Sequence, residues 1–352
     1  MRRRYPNLTL PGALAIAAAL IFICAVSARA QSSPSATKPK DAPADKRWVQ
    51  PRTPDGQPDI QGIWNTATLT PLERPAELGD EQFFTPEEAL AYEKKQKEAQ
   101  NRDRRDGGED ADLSRAYNEA WFDRGTKVAE NLRTSLIIDP PDGRVPPMTP
   151  EAQKRFDMAH AWLAEHPADG PEDMPLHVRC LMFSQVGPPM LPSAYNNNYQ
   201  ILQTRNYVSI LSEMGTVARI VPLDGRPHLP KGVTQWVGDS RGHWEGNTLV
   251  VDTTNFKSNG QNRFGVVYEG LSDENFHVIE RFTRTSADRI IYRATVEDPA
   301  VYTKPWTIEV VMGKTSQPIF EYACHEGNYA MSDILAGARA EEKKSAGRGI
   351  SK

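Results

Sequence analysis

The sequence predicts a mainly β fold with an α-helical N-terminal part, and two features after Tyr199 carry this prediction. Alternating runs rich in β-branched residues follow one another, with turn residues between them. Some links are as short as Arg205-Asn206, which favours antiparallel neighbours because parallel strands need long crossovers. We expect an eight-stranded antiparallel meander closed into a lipocalin-like barrel with one cavity, or a β-sandwich of the same strands. The predicted strands are YQILQT, YVSILSE, VARIVPL, NTLVVDTT, FHVIERFTRT, RIIYRATVED, WTIEVVMG and PIFEYAC.

Residues 1–30 have the layout of a secretory signal peptide. Three arginines precede an apolar run from Ala13 to Val26, and small residues lead to a cleavage position after Ala30. The apolar run is shorter than the ~20 residues that span a bilayer, which favours cleavage over a membrane anchor. We expect a periplasmic or secreted protein with no membrane span after signal removal.

The remaining chain divides by composition. Residues 31–59 are rich in Pro, Ser, Lys and Asp, and they predict a flexible leader because they offer little apolar surface to bury. A single domain is expected over 60–342, with a helical and loop-rich part (60–198) packed on the strands (199–325). A disordered tail is expected over 343–352.

Three helices are predicted in the N-terminal part. Thr85-Pro86-Glu87 and Thr149-Pro150-Glu151 each combine an N-cap residue, a proline at the first helical position and an early acid. The tract LSRAYNEAWFDRG predicts a further helix between them. A short strand is expected around Gly62-Ile63-Trp64, which is similar to the Gly-x-Trp element of lipocalin-type barrels.

Charge and motif content narrow the function classes. The net charge is -4 and the basic residues are dispersed, so we expect neither a nucleic-acid partner nor a polybasic membrane patch. The sequence has no closely spaced His or Cys pairs, no nucleophile elbow and no phosphate-binding glycine loop. No metal or cofactor is therefore predicted. After signal removal two cysteines remain, Cys180 and Cys324, which form either one disulfide or two buried thiols.

Six separated sequence blocks lie between residues 59 and 342: GPPMLPSAYNNNYQI, VPLDGRPHLP, WVGDSRGHWEGNTLVVDTTNF, HVIERFTR, VEDPAVYTKPWT and YACHEGNYAMSDILAGARAEE. Together these blocks resemble the motifs of a family of uncharacterised exported bacterial proteins. The resemblance implies one domain of this length and no particular activity.

The run GDSRGHWEGNTLVVDTTNF contains a hairpin whose turn is Glu245-Gly246-Asn247, because Gly and Asn tolerate the positive φ of hairpin turns. Its first part, around Asp239 and Arg241, is expected to be a loop at the barrel mouth, where binding groups often lie. A turn in which the Asp side chain caps its own backbone is the structural alternative.

Strand alternation places an ionisable group inside the predicted barrel. In FHVIERFTRT, the residues His277, Ile279 and Arg281 share one face, and Glu280 lies on the other with Val278. A buried charge must be paired, so either a ligand or a salt bridge from another strand is expected to meet it. On the next strand Tyr292 belongs to the inward set.

Acid–base chemistry on a small, partly apolar molecule or glycoside is the predicted function, of lyase, hydrolase or isomerase type. A carrier that binds such a ligand without catalysis is the alternative, since the fold alone does not decide. Each polar candidate also has a structural interpretation, as a turn, a helix start or a disulfide corner. The predicted proton-transfer residues are His228, Asp239, Glu280 and His325, and the predicted ligand-binding residues are Arg226, Trp236, Arg241, Trp244, Tyr292, Trp306 and Glu326.

Overall fold

A computed structural model of the protein describes residues 48–115, 118–166, 168–257 and 275–349. The predicted signal peptide, most of the predicted leader and the last residues of the predicted tail lie outside these ranges. The described helices are α1 (Pro86–Gln100), α2 (Gly108–Ser114), α3 (Pro150–Glu165) and α4 (Ala330–Gly349). The described strands are β1 (Gly62–Asn65), β2 (Ile137–Asp139), β3 (Asn198–Gln203), β4 (Tyr207–Ser212), β5 (Val217–Pro222), β6 (Asp239–Glu245), β7 (Thr248–Thr254), β8 (His277–Ser286), β9 (Arg289–Glu297) and β10 (Trp306–Thr315).

The strands form one antiparallel sheet, which confirms the predicted β-rich class. Its order is β5-β4-β3-β1-β10-β9-β8-β7-β6, and β2 also pairs with β10. Consecutive strands of the chain are therefore mostly neighbours, as in the predicted meander. In the described part of the chain this sheet has ten strands and is open between β5 and β6, whereas an eight-stranded closed barrel was expected.

The eighth predicted strand, PIFEYAC, is not a strand in the structure. β10 pairs with β9 on one side, and β1 and β2 occupy its other side. This position is the one that a further strand after β10 would need for hydrogen bonding. Conversely, the predicted mouth loop GDSRGH contains the beginning of β6, which starts at Asp239, and the predicted Glu245-Gly246-Asn247 hairpin turn joins β6 to β7.

The two open edges of the sheet approach each other through side chains. A Cβ atom on Gly242 of β6 would lie 2.7 Å from Val221 Cγ1 of β5 and 2.8 Å from Leu223 Cδ2. Both distances are shorter than a carbon–carbon contact, so glycine at this position permits the close approach. The edges are thus packed together without a backbone ladder between them.

The space enclosed by the sheet is filled. Trp64, Tyr199, Phe282, Tyr292 and Trp306 are each fully buried within one continuous apolar cluster, which spans β1 to β10. Among the described residues the interior is therefore occupied by packed side chains, where the sequence led us to expect a ligand cavity. Aromatic residues of this size bury large areas and account for much of the driving force for folding.

A buried ion pair crosses this interior. The guanidinium of Arg219 on β5 donates to both carboxylate oxygens of Glu280 on β8, and the two side chains are 3% and 0% exposed. Tyr292 donates its hydroxyl to Glu280 at 2.9 Å and accepts the backbone N–H of Met190 at 2.9 Å. The structure confirms the prediction that an ionisable group of this strand enters the interior. Glu280 is that group, and it forms a salt bridge with Arg219 from another strand.

Two of the three predicted N-terminal helices are confirmed. In α1, the Thr85 hydroxyl accepts the Glu88 N–H while the Glu88 carboxylate accepts the Thr85 N–H, and Thr149 caps α3 in a similar way. The helix predicted for LSRAYNEAWFDRG is wrong in its described residues, since α2 ends at Ser114 and a single 3-10 turn follows at Glu119–Trp121. Glu119 instead accepts the backbone N–H of Arg102, which fixes this segment against the end of α1.

The described structure includes residues that composition assigns to a flexible leader and to a disordered tail. Residues 48–59 were assigned to a flexible leader but contain a hydrogen-bonded turn. The Thr53 N–H donates to the Gln57 carbonyl, and the Gly56 N–H donates to the Thr53 carbonyl. Arg284 donates to the Asp59 carbonyl. At the other end α4 continues to Gly349. Cys180 and Cys324 form a disulfide, the first of the two states that the sequence left open. No helix in the described ranges has the length and apolarity to cross a membrane.

Candidate functional site

His228 is held in place by a buried carboxylate. It lies in the segment 223–238, which links β5 to β6, and its Nδ1 atom is 3.0 Å from Asp239 Oδ2. Asp239 is 4% exposed, and it also accepts the Leu229 N–H at 2.9 Å and Arg241 Nη1 at 2.6 Å. These bonds fix both the ring plane of His228 and the nitrogen that faces away from Asp239.

A second histidine, His277, meets His228 at one carboxylate oxygen. The Nε2 atoms of His228 and His277 lie 3.0 and 3.1 Å from the same Asp252 Oδ1. His277 Nδ1 is 3.0 Å from Glu297 Oε2, so each ring is bonded by a carboxylate at both nitrogens. The five side chains form a continuous row, Asp239–His228–Asp252–His277–Glu297.

The register of the sheet explains how this row is assembled. Asp252 of β7 lies opposite Arg241 of β6 and Ile279 of β8, and His277 is its diagonal neighbour. His277 in turn lies opposite Glu297 of β9. The neighbours of Asp252 along β7 are buried, so by alternation the row lies on the face of the sheet that points away from the core.

The charges of the row stabilise one another. The hydrogen bond to Asp252, and then the one to Glu297, raise the pKa of His277 above 6.5 against the opposing effect of burial. The hydrogen bond from His277, together with the charge of His228, lowers the pKa of Asp252 below 3.8. An ionised Asp252 thus faces a His277 ring that stays protonated to higher pH than a free imidazole.

A cavity of about 780 Å³ opens beside the two histidines. This volume lies within the range of small-molecule sites. Its apolar surface comes from Leu229, Phe256 and Phe276, whose two aromatic rings meet edge to face at 4.8 Å. Its polar surface comes from His228, His277, Lys231, Thr234, Thr254, Asn255 and Asn275.

Of the four predicted proton-transfer residues, His228 and Asp239 belong to this row. Glu280, expected at a barrel mouth, is instead enclosed in the core with Arg219, because it lies on the inward face of β8. His325 is exposed in the turn after the disulfide, and its ring has no hydrogen-bond partner among the described residues. It lines neither this cavity nor the second one described below.

The predicted ligand-binding residues are also dispersed. Arg241 supports Asp239 and donates to the Pro227 carbonyl at 3.0 Å. Tyr292 and Trp306 are core residues, which corrects their expected place at a cavity mouth. The remaining four lie apart from the row: Arg226 pairs with Asp224, Glu326 is exposed beside His325, Trp236 packs under Lys257, and Trp244 packs against the core.

Sequence reasoning did not assign Asp252, His277 or Glu297 to a site. The pattern that could have identified them is strand alternation. It places Asp252 of NTLVVDTT on the outward face, next to the outward His277 of the following strand. Among the described residues, no set of three or more His, Cys, Asp or Glu side chains is arranged to hold a metal ion.

Comparison of the chain with protein-family models, with curated proteins and with solved structures finds no match. The resemblance to exported bacterial proteins therefore stays a prediction from the sequence. Function must be inferred from the geometry of the histidine row and its cavity.

Proposed function

We propose that the protein is an enzyme that transfers protons to and from a small, partly apolar organic molecule in the cavity beside His228 and His277. The observation that carries the proposal is the shared Asp252 Oδ1, which two histidines approach at 3.0 and 3.1 Å at the cavity wall. The reaction is of lyase, hydrolase or isomerase type and needs no organic cofactor.

The row is suited to this chemistry because it holds a protonatable ring at the cavity in a fixed orientation. Beside the ionised Asp252, His277 keeps its proton to higher pH than a free imidazole, so it is a proton donor at the cavity wall. The outer carboxylates Asp239 and Glu297 orient the rings, as the acid orients the base in hydrolase triads. His228 and His277 are 29% and 26% exposed at their side chains. Because a carboxylate occupies both nitrogens of each ring, a substrate group must replace Asp252 at Nε2 of one ring before it exchanges a proton there.

The cavity lining defines the class of substrate. The edge-to-face pair of Phe256 and Phe276 offers an apolar surface for a ring or a short chain. Lys231 and Asn275 offer hydrogen-bond donors for a polar group at the other part of the molecule. A small aromatic or alicyclic compound with one polar substituent, or its glycoside, fits these features.

The proposal includes the cellular location and the fold class expected from the sequence. An exported, periplasmic or secreted protein is supported by the layout of residues 1–30, and the Cys180–Cys324 disulfide is consistent with it. A distant relation to lipocalin-like barrels is supported by the meander order and by the packing of β5 against β6.

A small-ligand carrier is the second candidate function. The same cavity volume and mixed lining would suit it, and the two histidines would then hydrogen-bond a ligand that leaves unchanged. A carrier needs binding alone, so conversion of the bound compound distinguishes the two candidates.

The test uses the chain from Gln31 onward and a defined library of small organic compounds that includes aryl glycosides, esters and hydroxy acids. Each compound is incubated with the wild type in ordinary water, in D₂O and in ¹⁸O-labelled water, and is followed by mass spectrometry. His228→Asn and His277→Gln are the test variants. His243→Gln is the matched control, because His243 is an exposed histidine of β6 outside the cavity.

The proposal expects one compound to be converted by the wild type and by His243→Gln at similar rates. His228→Asn and His277→Gln should convert it at least about a hundredfold more slowly, a typical loss for a general acid or base. Conversion at the wild-type rate in both test variants would overturn the assignment. A compound that is bound and recovered without change or isotope would favour the carrier.

A further inference from the structure

A second cavity, of about 480 Å³, lies between α1, the segment after β1 and the loop that precedes β3. It shares no lining residue with the cavity beside the histidine row. Its lining combines hydroxyl groups, apolar side chains and two arginines around one aromatic ring. The residues on which the argument depends are Leu72, Tyr92, Arg102, Arg124, Leu136 and Ser193.

Both arginines lie over the ring of Phe122. The Cζ atoms of Arg124 and Arg102 lie 4.1 and 5.4 Å from the centroid of its ring. Cation–π contacts of this kind fix the planes of guanidinium groups. Nη1 of Arg124 donates to Gln100 and Nη2 donates to Glu119, whereas Nε and Nη2 of Arg102 make no hydrogen bond with described residues. Two cations held this close repel each other unless negative charge offsets them.

The described residues supply too little negative charge for this pair. Glu119 accepts Arg124 Nη2 at 3.3 Å, and Arg102 has no carboxylate partner among the described residues. Within the described residues the guanidinium of Arg102 donates one hydrogen bond, to the Ser114 carbonyl at 3.0 Å. The local balance is thus two positive charges against one negative charge.

Unused hydrogen-bond donors accompany the excess charge. Arg124 Nε is buried and lacks a hydrogen-bond partner in the described part of the chain. Burial, and to a smaller extent repulsion from Arg102, lower the pKa of Arg124 against the attraction of Glu119. The hydroxyls of Tyr92 and Ser193 also line the cavity and make no hydrogen bond with described residues.

We infer that this cavity binds a small organic carboxylate, whose anionic group is bound by the arginines at the cavity, Arg102 foremost, and whose remaining atoms contact the leucines, prolines and hydroxyls of the lining. Arginine presents a planar fork of N–H donors that matches a carboxylate in a bidentate way. The apolar part of the lining, including Leu72 and Leu136, favours an organic acid over an inorganic anion. The site is separate from the proposed catalytic row and does not depend on it.

The test measures binding of phenylacetate and glucuronate to the chain from Gln31 by isothermal titration calorimetry at low salt. Phenylacetamide and glucose are the matched neutral probes, and inorganic phosphate is the matched inorganic probe. The variants are Arg102→Gln and Arg124→Gln, with Arg105→Gln as the control because Arg105 pairs with Asp112 and does not line the cavity. His228→Asn separates this site from the catalytic row.

We expect saturable binding of at least one carboxylate, with affinity about tenfold or more lower in Arg102→Gln and unchanged in Arg105→Gln and His228→Asn. Since Arg102 is partly exposed, its variant should fold even if Arg124→Gln does not. The inference would be overturned if an acid and its neutral analogue bound equally, or if phosphate bound more strongly than the carboxylates. It would also be overturned if Arg102→Gln kept the wild-type affinity, or if no carboxylate bound at millimolar concentration.

Discussion

Arg219 on β5 and Glu280 on β8 form a bidentate ion pair across the interior of the sheet, with side chains that are 3% and 0% exposed. Both partners come from inward positions of their strands, between apolar neighbours. The pair ties an open edge of the sheet to a central strand. Taking two charges out of water is costly, so the pair is compensated by its geometry and by the hydroxyl of Tyr292.

Glu280→Gln should lower the free energy of unfolding by about 3–5 kcal/mol, because it leaves the Arg219 charge buried without a counter-charge. Urea denaturation at pH 7 measures the change. The double variant Arg219→Met with Glu280→Leu should recover most of the loss, since it removes both charges. A single variant within about 1 kcal/mol of the wild type would show that the pair is not needed for stability.

The sequence predicts seven strands of the meander and places Glu280 on the face opposite to His277 and Arg281, because alternation is a local property of each strand. It does not predict which residues fill the interior, because Arg219 and Glu280 are 61 residues apart and meet only after the sheet curls. The sequence identified only part of the candidate site, because the rest of the site also depends on contacts between distant residues. His228 and Asp239 stand out locally, whereas Asp252 joins them only through the β6–β7–β8 register.

Gly242→Ala should destabilise the protein by about 1–3 kcal/mol, because the new Cβ would overlap Val221 and Leu223 and force β5 away from β6. Thermal or urea unfolding measures the change. Gly313→Ala in β10 is the matched control, since a Cβ there would meet nothing within 4 Å. Equal stability of the two variants would mean that the two edges are free to move apart.

Replacing Cys180 and Cys324 together by serine should lower the free energy of unfolding by about 2–5 kcal/mol. The disulfide joins residues 144 positions apart, and the open chain gains conformational entropy when this loop is released. Unfolding of the wild type with and without a reducing agent provides the same comparison. If the variant and the reduced wild type unfold at the same urea concentration as the oxidised protein, the bond contributes nothing measurable.

His277 and Asp252 should make stability depend on pH in a defined direction. The pKa of His277 is raised above 6.5, so its contribution is complete below that pH and is lost as the pH rises through the folded-state value. The pKa of Asp252 is lowered below 3.8, so its contribution is present above that pH and is lost as the pH falls through the folded-state value. The two contributions overlap in the mildly acidic range.

His277→Gln should therefore destabilise the protein most between about pH 4.5 and 6 and much less near pH 9, as measured by urea unfolding across this range. In the Asp252→Asn background the same substitution should show a weaker pH dependence, because the main hydrogen-bond partner of the imidazolium is already neutral. NMR titration should then place the pKa of His277 closer to 6.5 than in the wild type. A destabilisation of equal size at every pH would show that His277 acts through packing and that its charge is not stabilised by Asp252.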